Sequence, residues 1–360
     1  MLIGIHAKAL SETYPTGVGF YTRYLLQYLL GLPEAGTHRF LLYLAKNGAD
    51  QYPANITKKI LSSPFLWTQS RLAIELLLHK PDVFFVPQHV LPKTAPKNSA
   101  VTIHGLEFER FPDHYAWQER MYLRWVTRDA VKRASCIIAV SNATKQDLME
   151  FYRLPEEKIT VVHHGAPQRI SNIKYPISNK RMDTPYFLYI GRIEKKKNVD
   201  GLIRAFTIAK EKYKLPHKLI LAGSIGFGFS SKKLSAISYK LKNQIEFLGY
   251  ISEEAKWELL RNAEAFVFPS WCEGFGLPIL EAQQAGVPVI TSNISAMPEV
   301  AGPGGLFIDP SSPESIAEAM HRISEDRKLR ENLIAAGYKN AQRFSWEKCA
   351  QETLNILIKP

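Results

Sequence analysis

Short apolar runs alternate with amphipathic stretches along most of the chain. The runs are rich in β-branched and aromatic residues, as in buried strands, and the stretches between them follow the period of helices. This alternation is typical of parallel sheets built from βαβ units and predicts an α/β fold. The predicted strands are Leu2 to His6, Phe40 to Leu44, Val83 to Val86, Ala100 to Ile103, Cys136 to Val140, Thr160 to His163, Tyr186 to Ile190, Lys218 to Ala222, Ile245 to Leu248, Ala265 to Phe268, Pro288 to Thr291 and Leu306 to Ile308.

A polar stretch without periodicity divides these strands into two sets. Residues 168–184 contain several Asn, Pro and Ser residues and are predicted to be a linker. The length of 360 residues also favours two domains. We therefore predict an N-terminal domain at 1–167, a C-terminal domain at 185–344 and a final helix at 345–360 that crosses back to the first domain.

Two glutamates flank a glycine-rich turn late in the chain. Glu273 precedes Gly274-Phe275-Gly276-Leu277, and Glu281 follows within a helix-favouring run. The turn should end at a helix N-terminus, which suits a phosphate. Carboxylates accept hydrogen bonds from hydroxyls, so the pair could hold sugar and ribose on either side of a diphosphate. The alternative is that one glutamate only favours the helix dipole and the other is solvated.

A basic loop follows the first strand of the second domain. Gly191 and Arg192 come directly after the strand, and Lys197 lies five positions beyond Arg192. A guanidinium and an ammonium at one strand end can both reach a diphosphate. The alternative is a solvated loop, because Lys195, Lys196 and Lys197 are consecutive.

The glutamate motif resembles that of a known enzyme family. Residues 269–282 read Pro-Ser-Trp-Cys-Glu-Gly-Phe-Gly-Leu-Pro-Ile-Leu-Glu-Ala, similar to the signature of retaining GT-B glycosyltransferases of family four, or group 1. The resemblance implies two Rossmann-like, doubly wound domains facing each other across a cleft. It also implies that Arg192 and Lys197 bind the donor diphosphate. We expect the amides near Phe275, Gly276 and Leu277, at the start of the predicted helix, to stabilise the same diphosphate as it leaves. Glu273 would then hold donor-sugar hydroxyls and Glu281 the ribose hydroxyls.

The N-terminal half carries weaker signals. Gly17 and Gly19 precede the helical pattern Phe20 to Leu30, and the family places a similar glycine loop at the donor diphosphate and acceptor side. These glycines could equally form an ordinary loop. His104 ends a predicted strand and resembles the family histidine that contacts a donor-sugar hydroxyl. Gly105 follows it where most family members have Asp, which leaves the hydrogen bonding of the imidazole open.

The donor is predicted from local resemblance alone. The stretch from His104 through Phe111-Pro112 is similar to bacterial mannosyltransferases of surface-polysaccharide assembly, which favours GDP-mannose, with UDP-glucose or a UDP-N-acetylhexosamine as alternatives. The acceptor would be a glycan or a lipid-linked glycan. The chain contains no Asp-x-Asp motif, so we expect neither a divalent metal nor any cofactor besides the nucleotide sugar.

The net charge is +12 and is shared by both halves. It is compatible with nucleic acid, an anionic membrane surface or an anionic donor. Nucleic acid is not expected, because no basic motif is interleaved with aromatic residues. A sharper hypothesis concerns Arg120, Arg124, Arg128 and Lys132, which would form a basic stripe on one helix face and lie on anionic lipid. The alternative is a solvated surface helix whose apolar side joins the core.

Composition predicts the compartment and leaves two other classes open. No apolar run approaches the ~20 residues of a spanning helix, and Cys136, Cys272 and Cys349 show no metal-ligand spacing. We expect a cytoplasmic protein with reduced thiols, associated peripherally with the inner face of the membrane if the basic stripe binds lipid. The other classes are an NAD-dependent oxidoreductase, which lacks a third glycine at Thr22, and a catalytically silent basic binding protein.

Overall fold

The computed structural model describes residues 1–11, 17–46, 55–63, 66–166, 184–241 and 244–359. Unit 1 contains Met1–Glu109, Trp117–Gly165 and Phe344–Pro360, and unit 2 contains Arg110–Ala116 and Ala166–Arg343. The predicted linker lies outside the described residues except for its last position. The final segment belongs to unit 1, whereas Arg110–Ala116, predicted within the first domain, belongs to unit 2.

The described strands of unit 1 form one parallel seven-stranded sheet in the order β3-β2-β1-β4-β5-β6-β7. The strands predicted for this half are confirmed with small shifts at their ends. One strand, Ile-Thr-Lys-Lys-Ile, was not predicted; it is an edge strand, where lysines are common because one side faces solvent. The strands are β1 (Leu2–His6), β2 (Arg39–Leu44), β3 (Ile56–Ile60), β4 (Val83–Val86), β5 (Ser99–Ile103), β6 (Cys136–Ala139) and β7 (Ile159–Val161).

Helices pack on this sheet around an apolar core that includes the end of the chain. Tyr21 and Leu25 of the first helix share the core with Trp346 and Leu354 of the last. The first helix begins at Gly17, so the two glycines predicted as a turn before Phe20 lie instead in its first turn. The helices of unit 1 are α1 (Gly17–Leu29), α2 (Arg71–Leu78), α3 (Glu107–Arg110, whose last residue belongs to unit 2), α4 (Trp117–Arg133), α5 (Asn142–Tyr152) and, at the end of the chain, α13 (Trp346–Ile358).

The described strands of unit 2 form a parallel six-stranded sheet in the order β10-β9-β8-β11-β12-β13. All strands predicted for this half are confirmed with small shifts at their ends. The strands are β8 (Tyr186–Ile190), β9 (Lys218–Ala222), β10 (Ile245–Gly249), β11 (Ala265–Phe268), β12 (Val289–Ser292) and β13 (Gly305–Ile308). The helices are α6 (Val199–Tyr213), α7 (Ser231–Lys240), α8 (Glu253–Asn262), α9 (Leu277–Ala285), α10 (Met297–Ala301), α11 (Pro313–Glu325) and α12 (Arg327–Ala341).

In each sheet the chain first adds strands on one side of its first strand and then crosses to add the remaining strands on the other side. In unit 2 the first strand, β8, lies between β9 and β11, and the crevice beyond such a reversal is where doubly wound sheets bind ligands. Within the described ranges, no helix has both the length and the apolar character needed to cross a bilayer.

Candidate active site

The two motifs predicted to bind a donor lie side by side in unit 2. β8 and β11 are hydrogen-bonded neighbours in the sheet. The basic loop follows β8 and the glutamate motif follows β11, so both leave the carboxyl edge of the sheet where its strand order reverses. The motifs are distant in sequence, and the pairing of these two strands brings them together.

The structure joins Lys197 and Glu273 in a direct ion pair. The Lys197 Nζ donates to both carboxylate oxygens of Glu273, at 2.6 Å and 2.7 Å. Both side chains are largely buried, with 18% and 10% of their surface exposed. Such charge-assisted bonds are about twice as strong as neutral ones. The cation predicted for the diphosphate is therefore held directly beside the carboxylate predicted for the donor sugar.

The predicted turn and helix are confirmed. Gly276 has φ +106°, a conformation that favours glycine, and α9 begins at the next residue with Pro278 in its first turn. The helix ends at Ala285 and is followed by Gly286, which also has positive φ. α9 begins four residues beyond Glu273. Pro278 has no N–H and the Ile279 N–H donates to the Gly276 carbonyl at 3.0 Å, so Leu277 carries the terminal N–H of the helix that would face an anion.

A serine that the sequence did not indicate fixes this turn. The Ser295 hydroxyl donates to the carbonyl of Glu273 at 2.8 Å and lies 3.3 Å from the Glu273 backbone nitrogen. It also lies 3.3 Å from the sulfur of Cys272, which is buried as expected for a packed thiol. Ser295 therefore holds the backbone that carries the carboxylate.

Arg192 lies on the same loop as Lys197 but is much more open. Its side chain is 60% exposed, and its Nη1 is 3.6 Å from Oε2 of the buried Glu194. The Tyr189 hydroxyl donates to the Arg192 carbonyl at 2.8 Å. Burial, with the nearby Glu273 and Glu194 carboxylates, raises the pKa of Tyr189. Tyr189 therefore stays protonated and serves as the donor of this bond.

Glu281 is paired with a lysine that the sequence did not single out. Lys256 of α8 places its Nζ 2.7 Å from Glu281 Oε1 and 2.7 Å from Glu253 Oε2. Burial alone would lower the pKa of Lys256, but the two carboxylates outweigh it and raise the pKa above its ordinary value. Glu281 is thus a largely buried, ion-paired carboxylate and not the solvated glutamate of the alternative interpretation.

A strap from the first half of the sequence packs onto the basic loop. Within this strap, Arg110–Ala116, the Tyr115 hydroxyl lies 3.1 Å from the Lys196 Nζ, which is also 5.0 Å from the Tyr115 ring centre. Phe111 and His114 stack on each other and lie about 6 Å from the ring of Trp271. The strap therefore supports both motifs, and Lys196 is not simply solvated.

In unit 1, His104 sits in a set of buried hydrogen bonds. Its Nε2 donates to the Pro87 carbonyl at 3.0 Å, so Nδ1 is the acceptor nitrogen of the ring. Its backbone N–H donates to His89 Nε2 at 2.8 Å. Burial lowers the pKa of His104 to about 4 and that of His89 to about 3, so both are neutral at pH 7. A hydroxyl of the sugar could therefore bond to the His104 ring only by donating its hydrogen to Nδ1.

The glycine after His104 has a steric reason. Gly105 has φ +143°, and a Cβ there would lie 2.6 Å from a carboxylate oxygen of Glu107. The aspartate that most family members carry would be strained in this backbone. Instead, Pro87 and His89 supply the hydrogen bonds to the histidine that the sequence left open.

Helix α4 presents a different face from the one predicted. Arg120 Nε donates to the carbonyl of Phe108 at 3.1 Å, and Arg124 Nε lies 2.9 Å from Glu109 Oε2. These two arginines are therefore engaged within unit 1. Two of the four residues of the predicted stripe are thus only partly exposed, whereas Arg128 and Lys132 are exposed.

The exposed side of α4 is aromatic as well as basic. Trp117 and Trp125 have 69% and 55% of their surface exposed, and Met121 between them is also exposed. Arg128 and Lys132 are exposed on the same side of the helix. The alternative interpretation placed the apolar side of this helix in the core. It is wrong for Trp117, Met121 and Trp125, although Val126, Ala130 and Val131 are buried.

Among the residues that the structure describes, no three His, Cys, Asp or Glu side chains are grouped so as to hold a metal ion. Cys136, Cys272 and Cys349 form no disulfide within the described part of the chain. Burial raises the pKa of Cys136 and Cys349. Neither of these two therefore has the character of an activated nucleophile.

Known proteins match both halves of the chain. The model for "Glycosyl transferases group 1" matches residues 172–340, and that for "Glycosyltransferase Family 4" matches residues 16–167. O-antigen chain mannosyltransferase B of Escherichia coli is 29% identical over 291 residues, which are 79% of this chain and 76% of that protein.

Two solved structures are similar over nearly the whole chain. WaaG, a glycosyltransferase involved in lipopolysaccharide biosynthesis, has a TM-score of 0.73 at 17% identity, with 100% of each chain covered. HepE of Anabaena in complex with UDP-glucose has a TM-score of 0.70 at 20% identity, with 99% of each chain covered. With two matched family domains and two parallel sheets of the GT-B type, this chain belongs to the family 4, or group 1, glycosyltransferases.

Proposed function

We propose that this glycosyltransferase moves mannose from GDP-mannose, with retention of configuration, to a glycan or lipid-linked glycan in surface-polysaccharide synthesis. The observation that carries the proposed site is the Lys197–Glu273 pair beside the start of α9. The similarity to an O-antigen mannosyltransferase supports mannose. UDP-glucose remains the alternative donor, because HepE was solved with it.

The chemistry follows from the charge that develops on the leaving group. The acceptor hydroxyl attacks the anomeric carbon, the bond from that carbon to the phosphate oxygen breaks, and the departing phosphate takes the acceptor proton on the same face. Lys197, Arg192 and the amides near Phe275, Gly276 and Leu277 stabilise the departing diphosphate. Glu273 holds sugar hydroxyls. Since the departing phosphate itself takes the acceptor proton and the cations of the site meet its charge, the proposed mechanism includes no enzymic nucleophile, metal or other cofactor.

Thermal unfolding with nucleotides tests the donor. A ligand that binds only the folded protein stabilises it by about 2.7 kcal/mol at a concentration 100-fold above its Kd. GDP and GDP-mannose are expected to raise the unfolding midpoint without added metal, more than UDP, ADP, NAD or UDP-sugars do. A shift with UDP and UDP-sugars alone would contradict GDP-mannose and assign a UDP-sugar as the donor. A shift with NAD alone would favour an oxidoreductase, and no shift at all a silent binding protein.

A lipid-linked acceptor would require the enzyme to approach a membrane, and unit 1 has a surface suited to it. Thr94 donates to the carbonyl of Ala73 in α2, and Lys93 pairs with Asp129 of α4 at 2.7 Å, so one loop bridges the two helices. Exposed apolar side chains lie on both helices and just before α2. We define the α2–α4 surface as Leu66, Ile74, Leu77, Leu78, Trp117, Met121, Tyr122 and Trp125.

The occupant proposed for the α2–α4 surface is an anionic bilayer. Trp and Tyr favour the membrane interface, and exposed Arg128 and Lys132 suit anionic headgroups. The same two cations disfavour a second copy of this chain, because a two-fold axis through this surface would bring each close to its copy. The exposed face of α4 thus supports the lipid interpretation through two members of the predicted stripe, Arg128 and Lys132, and through aromatic residues that the stripe did not include.

The double substitution Trp117→Ser with Trp125→Ser should lower retention on liposomes containing anionic lipid by about tenfold or more. Co-sedimentation at low salt measures this, and Phe307→Ser, an exposed aromatic in unit 2, is the matched control. Unchanged liposome retention of the double variant would contradict the membrane proposal. If the double variant instead abolishes a concentration-dependent dimer in size-exclusion chromatography, the surface is a self-association face.

A further inference from the structure

Lys256 connects α8 to Glu281, the glutamate assigned to the ribose. Its side chain is 12% exposed and that of Glu281 13%, whereas Glu253, the other partner, is 46% exposed. Glu253 lies one turn before Lys256 on the same helix, and Glu281 lies on α9. One ammonium therefore joins a surface carboxylate to a largely buried one.

Stability alone is a weak reason for such an arrangement. Removing two charges from water costs several kcal/mol per ion, and apolar residues of similar volume often serve as well or better. An oriented ion pair does provide a fixed direction for each carboxylate oxygen. The Lys256–Glu281 contact uses Oε1 at 2.7 Å, which restrains the position of that oxygen and leaves Oε2 for another donor.

Charge gives a second reason. A nucleotide sugar brings an anionic diphosphate to α9, and an unbalanced Glu281 carboxylate would repel it. Lys256 offsets that charge while leaving the carboxylate ionised, and an ionised carboxylate accepts hydrogen bonds at both oxygens.

We propose that Lys256 is a positioning residue for donor binding, holding Oε1 of Glu281 so that Oε2 is presented to the ribose hydroxyls. This inference rests on the proposed function, in which Glu281 contacts the ribose. Lys256 itself touches no substrate atom. Its loss acts mainly on ribose binding, through the position of the Glu281 carboxylate, and to a smaller extent on the diphosphate, through the charge that it no longer offsets.

The test compares ligands with and without ribose hydroxyls. Calorimetry measures the Kd of GDP, 2′,3′-dideoxy-GDP and inorganic pyrophosphate for the full chain and for Lys256→Met. The substitution should weaken GDP binding about tenfold or more, with a much smaller loss for the dideoxy analogue and pyrophosphate, which lack the ribose hydroxyls but keep the diphosphate. Lys256→Arg should recover most of the loss, because an arginine can still bond the carboxylate.

Two further variants keep the test decisive. Lys218→Met removes a lysine that pairs with Glu246 at 2.6 Å at the start of β9, at the opposite edge of the sheet, and should leave all three Kd values unchanged. If Lys256→Met does not fold, Glu253→Gln takes its place, with a smaller loss of the same ribose-dependent kind because one anchor of Lys256 is weakened.

The outcomes separate this inference from the proposed function. Equal losses for GDP and dideoxy-GDP would reduce Lys256 to a structural tie between α8 and α9, and unchanged GDP affinity would also overturn the inference. In either case a ribose-dependent loss in Glu281→Ala would leave the proposed site intact. If Glu281→Ala itself binds GDP and dideoxy-GDP as the unmodified protein does, the ribose assignment and the inference fail together.

Discussion

Lys197→Met is expected to lower kcat/KM for sugar transfer by about 10²- to 10³-fold, the range for removing one donor that stabilises developing charge. The ammonium faces Glu273 at 2.6 Å and is held at the edge where β8 and β11 meet. Its loss removes positive charge from the departing diphosphate and also leaves a largely buried carboxylate without its partner. Steady-state kinetics with GDP-mannose and the acceptor measures the change.

Lys195→Met is the matched control for this substitution. Lys195 lies on the same loop but is exposed, so its loss should change kcat/KM by less than about threefold. Thermal unfolding of both variants separates a local effect from misfolding. Near-normal turnover in a folded Lys197→Met protein would contradict the assignment of Lys197 to the leaving group.

Glu281→Ala is expected to weaken binding of the nucleotide donor by about 1.5–3 kcal/mol, the range for hydrogen bonds to a charged group. This corresponds to roughly 10- to 150-fold in Kd. The carboxylate is largely buried and oriented by Lys256 at 2.7 Å, so the variant loses a positioned acceptor rather than a mobile one. Calorimetric titration with GDP measures the loss.

Glu246→Ala controls for removing a carboxylate from a lysine pair in the same unit. Glu246 pairs with Lys218 at 2.6 Å. The Glu246→Ala protein should bind GDP with the affinity of the unmodified chain. Pyrophosphate should bind Glu281→Ala almost as it binds the unmodified chain, because the diphosphate contacts remain. Wild-type GDP affinity in Glu281→Ala would refute the assignment of Glu281 to the ribose.

The sequence predicted local structure at the site well. Glycines at 276 and 286 adopt the positive φ values that only glycine adopts readily, and the helix between them is α9. These features depend on neighbouring residues, so they can be predicted from a short stretch. The buried apolar strands were predictable for the same reason.

Contacts across the fold were harder to predict. The Lys197–Glu273 pair depends on β8 lying beside β11, and the Lys256–Glu281 pair on α8 lying beside α9. Spacing along the chain does not specify which strands or helices are neighbours. Helix α4 shows the same limit, because its periodicity did not reveal that Trp117 and Trp125 face outward.

The division of the chain into units has a consequence for synthesis. Domains usually fold in the order in which they are made. Here unit 1 takes its last helix, with Trp346 fully within its core, from residues that follow all of unit 2. All residues of unit 2 are therefore synthesised before unit 1 is complete. Until then, the part of the unit 1 core that receives α13 must stay unfilled.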